Sequence, residues 1–449
     1  MNIFVPNDVK YIINKLYENN YKAYMVGGCV RDSLLGIPPK DYDITTSAKP
    51  DKTISIFDKT IPTGLKHGTI TILLNNCPYE VTTFRTEGDY LDNRRPESVN
   101  FVTDIKEDLS RRDFTINSLA YNESDGLIDY FNGVNDINNK IIRCVGDPNV
   151  RFKEDALRML RAIRFSCQLS FNIEYHTLNA IKDNYLLINN ISKERIKDEL
   201  CKILLSSNAS NGLELLYKTK ILQLILPDIN ALVGFSPLCN NHNRNIFAHT
   251  LKVINNTTDN LILRLSALFH DVGKINTLTS FNNGSFYGFP NHSIEGSIMV
   301  KKILSDLKFD NNIIKVVSKL IKYHLVLNVD IMPTKYEVKY LLNSIGKDNI
   351  FLLFDLQRAD VKSLNNPIPY LKKVDFTENL VKEILSNKEP LEIKDLKLTG
   401  SDLIKELHLK PGKLIGDTLN YLLDNVLKDS SLNSKDTLLK LSMEFLNKS

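Results

Sequence analysis

One discontinuity in the chain limits its fold more than any other feature. Up to about residue 145, short β-rich runs (YKAYMV, DYDITT, GTITILL and YEVTTFR) alternate with turns, and the helical stretches VRDSLLG and PDKTISIF lie among them. An amphipathic helix over residues 6–20 precedes them, with Val9, Ile12, Ile13, Leu16 and Tyr17 at spacings of three and four. From Gly146-Asp147-Pro148 onward the hydrophobic period lengthens to that of helices, and strand-like alternation almost vanishes. Strands gathered at one end and helices at the other predict an α+β chain, with a mixed-sheet head followed by all-α segments. The loop-like run PDINALVGFSPLCNNHNRN and the weakly patterned stretch near 385–398 mark further boundaries. The expected division is a head over 1–145, a neck over 146–226, a body over 227–384 and a tail over 385–449.

The 57 basic and 53 acidic residues leave a net charge of only +4, too balanced for a purely electrostatic nucleic-acid binder, so any such contact is local. The six cysteines include no Cys-x-x-Cys pair, which argues against a zinc knuckle or a disulfide framework. No apolar run approaches the ~18–20 residues that span a bilayer. Cytoplasmic residence is expected, with no membrane role and no obligate protein partner evident.

The strand YKAYMV runs into Gly27-Gly28 and then into a helix. Glycines there let backbone approach a ligand closely, and a helix N-terminus favours phosphate, so Gly28 and Arg31, one turn in, are candidate phosphate contacts. Asp41 and Asp43 follow on a predicted strand, where positions i and i+2 share a face and the two carboxylates converge. Close like charges repel unless a cation sits between them, and paired hard oxygens suit Mg²⁺ in phosphoryl or nucleotidyl transfer. Glu80, on the next long strand, is a candidate third carboxylate.

VGGCVRDSLLG, DYDITTSAKP, TGLKHGTITI and RRDFTINSLAY, in that order, resemble the catalytic head of the class II tRNA nucleotidyltransferases, the CCA-adding enzymes. Bacterial poly(A) polymerases share this head. The resemblance implies that Arg112 binds the nucleotide and that Asp113, with Asn117 in the same motif, addresses the ribose. It also implies that the segment from Arg85 to Pro96 is the family's flexible loop, used in the switch to A addition. Residues 151–167, RFKEDALRMLRAIRFSC, predict one amphipathic helix, with Arg151, Glu154, Asp155, Arg158 and Arg161 on one side. Glu154-Asp155-x-x-Arg158 matches the family's Glu-Asp-x-x-Arg motif, which implies that Asp155 and Arg158 read the base of CTP or ATP. A carboxylate accepts an exocyclic amine proton while a guanidinium donates to ring acceptors. Arg161 and Arg164 continue the match and are expected near the nucleotide or its phosphates.

His249, His270-Asp271, His292, His324 and Asp360 form a second constellation, which resembles the HD phosphohydrolase domain carried by many of these enzymes. Imidazoles mixed with carboxylates suit Mn²⁺, Ni²⁺, Fe or Zn²⁺. The expected arrangement is one site from His249, His270, Asp271 and Asp360, with His292 and His324 supporting a second metal. The C-terminal stretch from Leu398 resembles the family's tRNA-gripping tail. The expected activity is template-independent CCA addition to tRNA from CTP and ATP. The rivals are an A-adding enzyme or poly(A) polymerase and, from another class, a metal phosphohydrolase acting on nucleotides.

Overall fold

The computed structural model describes residues 3–88, 98–235, 245–281, 286–326 and 329–447 of the 449-residue chain. Two compact units make up the chain, Met1–Asn230 and Ala231–Ser449. The greater part of the loop expected over 85–96 lies outside the described residues, as does Cys239.

Helix α1 (Asn7–Glu18) buries Val9, Ile12, Ile13 and Leu16, the stripe its spacing predicts. Strand β1 (Ala23–Val26) buries all four of its residues, the continuous apolar run of a strand inside a sheet. It ends at Gly27, whose φ of +79° suits glycine alone, and α2 (Gly28–Leu34) follows at once. Strand β2 (Ile44–Thr46), helix α3 (Pro50–Ile56) and strands β3 (Thr60–Gly64), β4 (Thr69–Leu74) and β5 (Cys77–Thr83) come next. The short ladder of β6 (Arg85–Glu87) with β7 (Val99–Phe101) and helix α4 (Ile105–Ser110) lead to β8 (Ala120–Asn122) and β9 (Gly126–Ile128). Among the described residues the main sheet runs β3-β4-β5-β2-β1-β8-β9. Its one parallel pair, β2 with β5, lies at the middle and sets Ile44 opposite Val81. Tyr24, Val26, Phe84, Ile105, Leu109 and Ala120 form a core that packs α4 on the sheet.

After α5 (Gly133–Asn138) the first unit becomes helical, with α6 (Pro148–Glu154), α7 (Leu157–Leu169), α8 (Tyr175–Asn184) and α9 (Lys193–Leu204). Two expectations need correction. Asp41 and Asp43 precede β2 rather than lie on a strand, although the Asp43 carbonyl still accepts the Val26 N–H at 3.0 Å, as a ladder residue would. Residues 151–167 are not one helix either: Asp155 leaves helical geometry at φ −136° and ψ 103° between α6 and α7. Polar Asp side chains compete for backbone hydrogen bonds, and the Asp155 carboxylate takes the Leu157 N–H at 3.1 Å.

In the second unit, helix Leu261–Phe269 is buried nearly all round and packs against helices Ile246–Asn255, Asn311–Tyr323 and Ile350–Val361. Helix His292–Asp306 lies on Asn311–Tyr323. A small antiparallel pair, Thr279–Phe281 with Phe286–Gly288, was not anticipated in a region read as helical. Toward the C-terminus come helices Gly400–Leu407, Lys413–Lys428 and Lys435–Leu446, and Lys339 joins the segment before them to the turn between the last two. That lysine is buried, with Nζ 2.5 Å from Glu389 and 2.6 Å from Ser430 Oγ.

Candidate active site

A cleft of about 190 Å³ opens in the first unit beside the parallel strand pair, lined by Asp43, Thr45, Glu80, Arg85, Arg111 and Arg112, among others. Because Ile44 pairs with Val81, Asp43 stands one register position back, level with Glu80. Ile44 and Val81 turn into the core, so alternation sends Asp43 and Glu80 to the opposite face. The Asp43 carboxyl is pushed up from its ordinary value, chiefly by burial; Asp41 adds to the rise and Arg112 opposes it. A cation would relieve that strain.

The positive side of the cleft is fixed from behind by a residue that the sequence reading missed. Asp108, fully buried on α4, is 2.7 Å from Arg111 Nη2 and 3.3 Å from Arg112 Nη2. It also accepts from the Thr45 hydroxyl at 3.4 Å and the Arg85 N–H at 3.3 Å. Burial opposes its ionisation, but the charges of Arg111 and Arg112 outweigh that and hold its carboxyl low. Arg112 lies close against Gly27, where an added Cβ would come 3.1 Å from Nη1, and its buried Nε has no hydrogen-bond partner.

Arg31 turns inward. It donates to Asn117 Oδ1 at 2.6 Å, pairs with Asp32 at 2.7 Å, and lies 5.0 Å over the Phe165 ring. Arg161 and Arg164 share that ring, at 5.4 and 3.9 Å. Asp113 takes a 2.6 Å ion pair from Arg161 and hydrogen bonds from the Asn117 amide and the Phe114 N–H. Burial disfavours its charge, yet Arg161 and Asn117 hold the carboxyl down at about 2. Arg31, Asn117, Asp113 and Arg161 are thus joined through one polar network, and Arg31 of α2 lies over Phe165 of α7.

Asp155 and Arg158 are held separately. Arg158 is buried, pairs with Glu154, and donates to the carbonyls of Arg111 at 3.0 Å and Arg151 at 3.2 Å. Asp155 is gripped by Arg195 of α9, and Arg164 by Glu199 of the same helix at 2.6 Å. Neither α9 residue was singled out from sequence, although SKERIKDEL sets Arg195 and Glu199 four apart on one helical face.

In the second unit the six expected ligands come together in two triads of donor atoms, His249–His270–Asp360 and Asp271–His292–His324. Asp271 stands between them, with Oδ1 3.5 Å from His292 and Oδ2 3.2 Å from His270. The imidazoles are oriented by their other nitrogens. Nδ1 of His270, His292 and His324 lies 2.8, 2.9 and 2.7 Å from the carbonyls of Ala267, Phe289 and Ile321. A carbonyl only accepts, so each Nδ1 carries the proton and each Nε2 turns a lone pair into the cluster. His249 Nδ1 meets the Ser363 hydroxyl at 2.8 Å, while that hydroxyl donates to the Asp360 carbonyl. Nε2 of His249 and His270 then face each other at 3.2 Å, and the buried Nε2 of His292 has no hydrogen-bond partner. Facing lone pairs flanked by two carboxylates fit a bound cation. Burial pushes His324 down to about 3 and lowers His292, which keeps both neutral and able to ligate.

Asp41, Asp43 and Glu80 are not among the groups of three converging donors found in the described residues.

Family models match along most of the chain: a poly A polymerase head domain over 23–143 and a "Probable RNA and SrmB- binding site of polymerase A" over 170–232. They continue with an HD domain over 243–342 and a "tRNA nucleotidyltransferase domain 2 putative" over 294–441. A CCA-adding enzyme of Ligilactobacillus salivarius is 34% identical over 98% of this chain and 98% of its own. The chain belongs to the CCA-adding enzymes. One from Lactobacillus helveticus is 36% identical over 96% of this chain and 94% of its own. The crystal structure of the Bacillus stearothermophilus CCA-adding enzyme in complex with CTP matches with a TM-score of 0.72 and 27% identity, covering 99% of both chains. Among the described residues of this CCA-adding enzyme, no helix is long and apolar enough to cross a membrane.

Proposed function

We propose that the chain completes the 3′ end of tRNA, adding C, C and A in turn from CTP and ATP without a nucleic-acid template and releasing pyrophosphate. One observation carries the reading: the Asp43 cleft and the Asp155–Arg158 pair are built into one unit, bridged by Arg111, which lines the cleft and whose carbonyl takes the Arg158 guanidinium. In this scheme the tRNA 3′-hydroxyl attacks the α-phosphate. Asp41 and Asp43 hold Mg²⁺, which neutralises charge on the attacking and leaving oxygens when bound. Gly28 and Arg31 receive the triphosphate, Arg112 the nucleotide and Asp113 the ribose. Asp155 and Arg158 read the base edge, and Arg161 and Arg164 border the nucleotide. Glu80 is the candidate third carboxylate.

We assign the head to 1–145, the neck to 146–226, the body to 227–384 and a tRNA-gripping tail to 385–449. The protein is placed in the cytoplasm, where its substrates meet. The histidine cluster is assigned to Mn²⁺, Ni²⁺, Fe or Zn²⁺ and to accessory phosphoester hydrolysis; its convergent Nε2 atoms favour this second activity. The test of the main reading is the double variant Asp41→Ala, Asp43→Ala, assayed on tRNA lacking its 3′ end with CTP and ATP separately and together. Addition is expected to vanish while the thermal midpoint stays close to wild type; undiminished incorporation would refute the assignment. Sequenced products from the wild type that contain only A, or a long A tail, would replace CCA addition by A addition or polyadenylation.

A further inference from the structure

Asp155 sits at the break between α6 and α7, where a carboxylate has no helical neighbours to fix its orientation. Two groups fix it instead. Arg195 forks onto it, Nη1 to Oδ1 at 3.2 Å and Nη2 to Oδ2 at 2.8 Å, and the Leu157 N–H adds a second bond to Oδ1 at 3.1 Å. Each carboxylate oxygen offers about two lone-pair positions. Oδ1 therefore has both engaged and Oδ2 retains one. The helix that carries Arg195 is itself locked onto α7: Glu199, buried and one turn further on, pairs with Arg164 and with Lys202 at 3.4 Å. The fork is thus mounted on a rigid element rather than on a loop.

We infer that Arg195 is a specificity-determining positioning residue, whose fork on Asp155 leaves Oδ2 as the one acceptor presented to the exocyclic amine of an incoming cytosine or adenine. The inference rests on the reading of Asp155 as a base-reading group. Cytosine and adenine donate from an exocyclic amine, whereas uracil and guanine present a carbonyl oxygen at the corresponding position. A carboxylate with a single free lone pair, fixed in direction, accepts from the first pair and repels the second. A carboxylate free to rotate about its side-chain torsions keeps the charge but loses the direction, and selection then weakens. Lysine cannot replace the fork, since an ammonium is a point charge and does not fix a carboxylate plane.

The test compares full-length wild type, Arg195→Gln, Arg195→Lys and Asp155→Asn in single-nucleotide addition to tRNA lacking its 3′ end. It reads kcat and KM for CTP and for UTP, together with the thermal midpoint. Arg195→Gln is expected to lower the CTP-over-UTP preference by about tenfold or more, mostly through KM for CTP, with Arg195→Lys intermediate. A merely structural role predicts instead that both nucleotides lose activity in parallel with the thermal midpoint, and a preference retained within about twofold overturns the inference. If Arg195→Gln does not fold, the same ratio in Arg195→Lys decides. Asp155→Asn separates the two readings. A preference lost there but kept in the Arg195 variants overturns only the Arg195 inference, whereas a preference kept in Asp155→Asn as well removes the base-reading assignment beneath it.

Discussion

At the scale of single residues, the first unit keeps its charges by pairing them, and Asp113 makes the consequence measurable. Its carboxyl is held at about 2 in the folded protein against an ordinary value of 3.8, since Arg161 and Asn117 outweigh the cost of burial. Between those values the unfolded chain binds more protons than the folded one, so stability rises with pH across that interval. The contribution is fully present above about pH 4 and is lost as pH falls through about 2. At 1.36 kcal/mol per unit it amounts to about 2 kcal/mol. In urea titrations, Asp113→Asn is therefore expected to be less stable than wild type at pH 7, with a shallower loss between pH 4 and 2. Parallel slopes for the two proteins would contradict this pairing. Asp108 follows the same rule with two arginines and no exposed surface. Nothing in the sequence told it apart from Glu107 beside it.

At the scale of elements, the histidine cluster depends on a close approach between two backbones. A Cβ on Gly273 would lie 2.1 Å from the His292 carbonyl oxygen and 2.5 Å from the Gly296 nitrogen. Both are backbone atoms and cannot swing aside. Gly273 directly follows the Asp271-Val272 turn, and His292 opens the helix that runs to Asp306, so any shift separates Asp271 from His292. Gly273→Ala is expected to cost about 2 kcal/mol or more, as overpacking does. It should also weaken metal binding by at least about tenfold, since displaced ligand sets lose affinity of that order. Calorimetric titration with Mn²⁺ or Zn²⁺ checks the second effect, and an unchanged affinity would show that the approach is not what holds the ligands together. The break between α6 and α7 is an element-scale feature of a different kind. Helical periodicity over 151–167 is real on both sides of it, but Asp155 bonds the Leu157 N–H and Arg195 rather than continuing the ladder.

At the scale of the whole molecule, two constellations occupy two units: the carboxylates and arginines of the cleft in Met1–Asn230, and the imidazoles and carboxylates of the two triads in Ala231–Ser449. His270→Ala is expected to abolish metal-dependent phosphoesterase activity and to leave CTP and ATP incorporation within about twofold of wild type, since the two sites are built from residues of different units and changes without shared partners usually act independently. Removing metals with a chelator and restoring Mg²⁺ alone should likewise recover nucleotide addition but not hydrolysis. Loss of incorporation in His270→Ala would mean that the two units are coupled. The modest net charge of +4 fits this arrangement. Arginines gather around the cleft and along α7, each held by an acid or a carbonyl, so local positive potential coexists with a nearly neutral chain.

The sequence alone determined what depends on local pattern. The change of hydrophobic period near residue 146 separated sheet from helix, glycine at 27 set the turn after β1, and the order of acids, arginines and histidines named the family and nearly every candidate ligand. Those signals are readable because period, φ preference and donor chemistry are properties of neighbouring residues. Tertiary structure decided the partners. Asp108 behind the arginines, Arg195 on Asp155, Glu199 on Arg164 and Ser363 on His249 lie from 3 to 114 positions away in the chain, three of them more than 30. It also decided how the six metal ligands divide, with Asp271 standing between two triads. Folding chooses among many chemically equivalent acids and bases by burial and distance, and neither quantity is written in one dimension.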